Sequence, residues 1–341
     1  MNSKYMIRFI YVAFSLILTA FICHIFINNF FFNINERATV ERMVYGVAHK
    51  PFVYRILLPC TVRAVMSCIP YKLKQSLTRS LGDSSVIDSL FHKTVWNKQR
   101  YLLEYLILFV LIYISLLAYV FSLHYLFTAI YPRVAPVIAP SVSLLSLLGL
   151  PLYFADVHIY LYDFTTLFLF TLGLALMARK KWRMFLLVYL VSCLNKETTI
   201  LLTMLFCVHF FRTEKLNRLG FLKLLGSQIL IFSVVKITLY MIFKNNQGCA
   251  MEHHFMRNLN FISKPYPLAT VLHGLVLLML TGYAWGEKHR FVKHGLIILP
   301  ALLVASFLWG WIEEIRGYYE VYPIFVLLIS HTACRIIGIK I

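Results

Sequence analysis

Residues 184–211 read MFLLVYLVSCLNKETTILLTMLFCVHFF, an apolar run broken at its middle by Asn195-Lys196-Glu197-Thr198. A single membrane-crossing helix of that length would hold Lys196 and Glu197 near the bilayer centre, at a cost of several kcal/mol. The other arrangement is two short helices that dip in from one side and turn inside protein, because backbone facing lipid must be hydrogen-bonded within its own helix. Charge separates the two. With the N-terminus inside, the hairpin puts five basic clusters on the inner side: Lys4/Arg8, Arg179 to Arg183, Arg212 to Arg218, Lys288 to Lys293, and Arg335 to Lys340. The single-span arrangement puts two of them outside. The positive-inside rule therefore favours the hairpin, about ten membrane segments and both termini cytoplasmic.

The rest of the chain fits that frame. Apolar runs of roughly span length cover residues 101–130, 134–153, 160–177, 219–243, 267–286, 294–312 and 319–337, each near the ~20 residues that cross a bilayer. The run from Met6 to Phe32 is too long for a signal-peptide core and reads as a retained first span. Hydrophobic residues make up 60% of the 341 residues and charged residues 14%, against roughly 45–50% and 25% in soluble domains. Mean hydropathy is +0.75. A soluble fold of this size lacks the polar surface to be consistent with those values. The expected architecture is all-α: one polytopic transmembrane helical bundle spanning 1–341, localised to a bacterial inner membrane. The net charge of +19 reads as basic loops held against anionic membrane lipids rather than as a nucleic-acid surface. Of seven cysteines, none forms a CxxC pair, which argues against a thiol redox site or zinc knuckle.

Segment 33–100 is the exception to the charge rule. It is basic yet falls outside, and it is long enough for the rule to weaken. Pro51 to Pro59 and Cys60 to Ile69 mix apolar residues with Arg55 and Arg63, which predicts amphipathic helices lying in the membrane interface.

Fourteen acidic residues occur, and on this topology eleven lie outside or face outward from within the membrane. Asp163, in Tyr162-Asp163-Phe164, opens an apolar span. It is either a helix N-terminal acid stabilised by the dipole or a carboxylate that works on a ligand. Asp156 and His158 precede it, and these residue types permit a divalent cation shared with Asp163. Lys196 suits a phosphate, and Glu197 suits orienting it or accepting from a sugar hydroxyl. Glu313-Glu314-Ile315-Arg316-Gly317-Tyr318-Tyr319-Glu320 joins two spans on the outer side. Glu313 and Arg316 are three apart, so one helical turn would pair them. Arg55, beside Tyr54, is either an arginine snorkelling to headgroups or one that grips a lipid-linked phosphate. Glu252-His253-His254 is a weak zinc pattern. There is no HExxH, GxSxG or P-loop, so no motif supports a hydrolase or a nucleotide-driven pump.

The layout resembles the multi-spanning, lipid-linked-sugar glycosyltransferases of the GT-C type: a first span, a long outer loop with interfacial helices, then many spans with short hairpins. Pro51–Pro59, Tyr162-Asp163, Leu194–Thr198 and Glu314–Pro323 also look like segments of uncharacterised bacterial polytopic membrane proteins near that class. The resemblance implies transfer of a sugar from a polyprenyl-phosphate donor to a cell-envelope acceptor on the outer face. It implies a catalytic carboxylate in the first outer loop, by position Glu36 or Glu41, with Asp163 and Glu197 as the further acidic candidates. Arg55, Lys196, Glu313, Glu314, Arg316 and Tyr162 are the expected substrate contacts. The competing expectation is a transporter or flippase for a lipid-linked or anionic solute, since broken helices also mark transporter sites.

Overall fold

A computed structural model of the chain describes residues 3–29, 33, 35–85, 87, 98–153, 160–213, 217–339 and 341. All regular structure among them is helical. In chain order the α-helices are α1 (Ser3–Asn29), α2 (Val40–Val44), α3 (Leu57–Cys68), α4 (Tyr71–Gly82), α5 (Lys98–Ile130), α6 (Ile138–Tyr153), α7 (Asp163–Ala178), α8 (Trp182–Asn195), α9 (Ile200–Thr213), α10 (Arg218–Ile242), α11 (Phe255–Ile262), α12 (Leu268–Gly282), α13 (Arg290–Gly295), α14 (Ile298–Trp309) and α15 (Tyr322–Ile336). Among the described residues, four stretches are long and apolar enough to cross a bilayer: Tyr5–Ile27, Arg100–Ile130, Arg218–Ile242 and Arg290–Trp309.

The bundle is built around α7. Its sequence, DFTTLFLFTLGLALMA, is apolar on every side, and a helix of that kind needs neighbours all round. It finds them: every residue except Phe168, Leu172 and Ala178 is buried. It packs mainly on α5 and then on α8; α1 and α6 pack on each other and on α5, and α1 reaches α7 where Phe26 meets Phe164. By contrast α10 and α12 leave long apolar faces exposed, among them Leu230, Val234, Ile237, Leu275 and Leu278.

The interrupted run of 184–211 forms a hairpin. Lys196 is extended (φ −156°, ψ 147°) and Glu197–Thr199 makes one 3-10 turn. The two arms then run antiparallel. The Tyr189 and Thr203 hydroxyls lie 2.8 Å apart, and the Trp182 and Phe210 rings at the far ends stand 5.1 Å centroid to centroid. A continuous helix would separate that last pair by about 40 Å. Each arm has 14 residues, hence a length of about 21 Å, short of a ~30 Å hydrocarbon core.

Close packing of the hairpin on α7 depends on Gly173. A Cβ there would lie 2.8 Å from Cδ1 of the fully buried Leu202. Overpacking of this kind costs typically 1–3 kcal/mol. Gly173→Val is expected to lower stability by about that amount, and adding Leu202→Ala to it should recover part of the loss. Unfolding in mixed detergent, with strictly additive losses as the contrary result, checks this.

Among the described residues between α1 and α5, the chain forms α2, α3 and α4. α2 is capped by the Thr39 hydroxyl, which accepts from the Arg42 N–H at 3.3 Å. α3 buries Leu58, Pro59 and Val62 and packs on α5; α4 buries nothing and lies against α5 with its polar face out. Cys60 and Cys68, both on α3, are free.

Candidate functional site

Four chain segments meet at the turn of the hairpin: the short 3-10 turn Phe52–Tyr54 with Arg55, the start of α7, the Asn195–Thr199 break, and the segment before α15. Arg55 is buried and forks onto Glu197, with Nη2 to Oε1 at 2.5 Å and Nε to Oε2 at 3.3 Å. It also donates to the Tyr162 hydroxyl, and its guanidinium lies 4.3 Å from the centroid of that ring. Tyr162 stacks on Tyr160 at 5.5 Å and 7°, and Tyr160 in turn stacks on Phe52 at 5.2 Å. Arg316 sits 4.2 Å from the Tyr160 centroid. Two arginines are thus spread over one aromatic stack, an arrangement that suits planar guanidinium and not lysine.

Carboxylates fix the cations from the other side. Asp163 is 1% exposed; its Oδ2 accepts the Tyr160 backbone N–H at 2.9 Å and lies 3.9 Å from Arg316 Nη1. Arg316 Nη2 donates to Glu314 Oε2 at 2.5 Å. Lys196 reaches Glu320 Oε1 at 3.0 Å, and the Thr198 hydroxyl donates to the same oxygen. Asn195 Nδ2 ties the break to α7 through Thr166 Oγ1 at 2.8 Å and the Tyr162 carbonyl at 3.3 Å. Lys236, on α10, donates to the Cys193 carbonyl at 2.9 Å. That carbonyl is in the last turn of α8, where no intrahelical N–H reaches it.

Arg55, Lys196, Lys236 and Arg316 are therefore balanced in charge by Asp163, Glu197, Glu314 and Glu320. The network is closed at Glu320, which is 0% exposed, and open at Glu197, whose side chain is 44% exposed. Arg316 Nε, Glu320 Oε2, Asn195 Oδ1 and the Tyr54 hydroxyl are buried without a hydrogen-bond partner among the described residues. Buried polar atoms are rarely left so, and these are the open donor and acceptor positions of the network.

Of the residues expected from sequence, Arg55, Tyr162, Asp163, Lys196, Glu197, Glu314 and Arg316 come together here. Glu313 does not pair with Arg316: the chain from Trp311 to Glu314 is not helical, so the three-residue spacing aligns nothing. Glu313 instead binds Arg257 at 2.5 Å, whose guanidinium covers the Trp311 ring at 3.6 Å. Glu41 also stands apart; its Oε1 accepts from the hydroxyl of Tyr105, on α5, at 2.6 Å. Asp156 and His158 lie outside the described residues. Among the described residues, no group of three His, Cys, Asp or Glu side chains is placed to hold a metal ion. Sequence reasoning passes over Tyr160 and Lys236 and gives Glu320 no role. Lys236 carried a signal, being the one charge between Lys223 and Lys244 in an apolar helix.

A second polar cluster straps the segment after α2 to the segment after α10. Asn246 Nδ2 donates to the Gly46 and Ala48 carbonyls at 2.9 and 3.0 Å, and the Lys50 N–H donates to the Gln247 carbonyl at 2.8 Å. Gly248 makes this possible: its φ is +89°, and a Cβ there would stand 2.7 Å from the Lys50 carbonyl oxygen. Arg37 pairs with Glu252, and that hydrogen bond holds the Glu252 carboxyl below the usual carboxylate range. A depressed folded-state pKa contributes stability above the ordinary value of about 4.3, and that contribution is lost as pH falls through the folded value. Wild type is thus expected to lose melting temperature more steeply than Glu252→Gln below about pH 4.5. Parallel pH profiles of the two proteins would contradict this.

Comparison of the chain with known protein families, with curated proteins and with solved structures finds no match.

Proposed function

We propose that this protein is a membrane glycosyltransferase of the GT-C kind, moving a sugar from a polyprenyl-phosphate donor to a cell-envelope acceptor. The observation that supports it is the convergence of Arg55, Glu197, Asp163, Lys196 and Arg316 from four distant segments into one half-open polar network. In this reading the bundle has about ten membrane segments, both termini are cytoplasmic, and the hairpin dips from the inner side so that its turn meets the outer loop. The donor's phosphate docks at Arg55, on the open side of the network beside the exposed Glu197. The acceptor oxygen attacks the anomeric carbon, the bond from that carbon to the phosphate oxygen breaks, and the cations stabilise the departing polyprenyl phosphate.

The geometry divides the carboxylates by role. Asp163 is sealed between a backbone N–H and Arg316, so it serves as an anchor for the guanidinium. Glu197 is the exposed one and takes the acceptor's proton. Its fork with Arg55 stabilises the anion and makes it a poor base. When the donor's phosphate competes for Arg55, that fork loosens and the base is released. Glu41 takes no part. The test is turnover in proteoliposomes with a panel of polyprenyl-phosphate sugars, reading released polyprenyl phosphate. Turnover lost in Glu197→Gln supports the reading; full turnover in folded Glu197→Gln, Asp163→Asn and Arg316→Ala overturns it.

One observation favours a transporter or flippase as the second reading. The ionisable residues sit at a helix break and are balanced in charge, as in alternating-access sites. Ion-coupled movement of the polyprenyl-phosphate sugar across a sealed vesicle, without release of the sugar, would select it.

A further inference from the structure

We propose that the phosphate of a lipid-borne substrate reaches the network sideways from the bilayer, between α10 and the hairpin, with Lys236 as its first cationic contact. This rests on the reading above and adds the route and the residue. Lys236 lies within an apolar helix, 18 residues from its start at Arg218 and six from its end at Ile242. Burying an ammonium there is expensive, and such residues are functional hypotheses by default. The other three cations of the network each have a carboxylate within 4 Å; Lys236 has none among the described residues. Its bond to the Cys193 carbonyl uses one of three N–H donors.

The surroundings point the same way. Glu197 and Arg55 are both within electrostatic range of Lys236. α10 packs against α8 and touches the Phe52–Tyr54 turn, so Lys236 lies at the seam where the hairpin, the outer loop and α10 meet. The flanking side chains Val234, Ile237 and Tyr240 are all more than half exposed on an apolar face suited to lipid. The Tyr54 hydroxyl, which has no partner among the described residues, belongs to that same turn. An ammonium with spare donors beside an exposed carboxylate and a lipid-facing apolar strip matches an amphiphile with one anionic phosphate and a long hydrocarbon tail. A lysine serving solely as a cap for the broken helix would predict lower stability on substitution and no change in affinity.

The probe is undecaprenyl phosphate, with undecaprenol and inorganic phosphate beside it, read by native mass spectrometry on detergent-purified wild type, Lys236→Gln and Lys236→Arg. Wild type should bind undecaprenyl phosphate, Lys236→Gln should weaken it at least tenfold, and Lys236→Arg should stay within about threefold of wild type. Undecaprenol should bind weakly and equally to all three. Amine labelling of Lys236 in wild type, blocked by undecaprenyl phosphate and not by undecaprenol, gives the same answer without any variant. Unchanged binding by folded Lys236→Gln, with no labelling protection, overturns the route while leaving the proposed function standing. Inorganic phosphate that protects Lys236 as well as undecaprenyl phosphate does would overturn the lipid as the phosphate's source. Absence of undecaprenyl phosphate binding by wild type overturns both.

Discussion

Replacing Glu320 with alanine is expected to destabilise the folded protein by about 3–5 kcal/mol, the range for breaking one partner of a buried ion pair. Glu320 is 0% exposed, and one of its oxygens receives both the Lys196 ammonium and the Thr198 hydroxyl. Without it, Lys196 is left 8% exposed with its charge uncompensated. The Asn195–Thr199 break then loses its tie to the segment before α15. The cost lies in the orphaned charge more than in the lost attraction, so a second change should relieve it. Lys196→Met combined with Glu320→Ala is expected to recover most of the stability, because apolar replacement of a whole buried pair is often near neutral. Equilibrium unfolding of the single and double variants in mixed detergent measures this. A loss below about 1 kcal/mol for Glu320→Ala would mean that water reaches the pair.

Arg55→Ala carries the second large effect, and it falls on function. Arg55 forks onto Glu197, bonds Tyr162 and lies on its ring, so its removal frees the hairpin turn from the segment before α3 and takes away the proposed phosphate contact. Polyprenyl-phosphate binding or turnover is expected to fall by a factor of about 100 or more, within the range of losing a charge-assisted bidentate contact and its supports. Arg55→Lys should recover little of it. A lysine offers a point charge and neither the fork nor the flat face that the stack of Tyr162, Tyr160 and Phe52 receives. Full function in Arg55→Lys would show that charge alone matters there. The variants are compared at matched monodispersity, so that unfolding is not read as loss of function.

The helical class is readable because apolar runs of span length announce helices. The Lys-Glu pair in mid-run leaves a costly single span or a hairpin, and the placement of the basic clusters decides between them. Arg55, Asp163 and Lys196 stand out because a charge in or beside an apolar run needs a reason, and Arg316 because it sits in a charged, tyrosine-bearing loop between two spans. What was not readable is pairing across the fold. Glu313 and Arg316 suggested each other by spacing, yet Arg316 turns to Asp163 and Glu314, and Glu313 finds Arg257 from α11. Tyr160 showed nothing in sequence, because a tyrosine near a span end is commonplace at a membrane interface. Its role depends on stacking between Phe52 and Tyr162, which are brought beside it by the fold. Glu41 was favoured by position in the outer loop, and position did not bring it to the network.

On the proposed function, this network holds a lipid-linked phosphate. The most direct measurement is the binding of a polyprenyl-phosphate sugar to detergent-purified wild type and Arg55→Ala, side by side, with folding of both confirmed. Wild type is expected to bind saturably, with displacement by free polyprenyl phosphate, and Arg55→Ala to bind at least a hundredfold more weakly. Equal binding by the two proteins, or none by folded wild type, would contradict it.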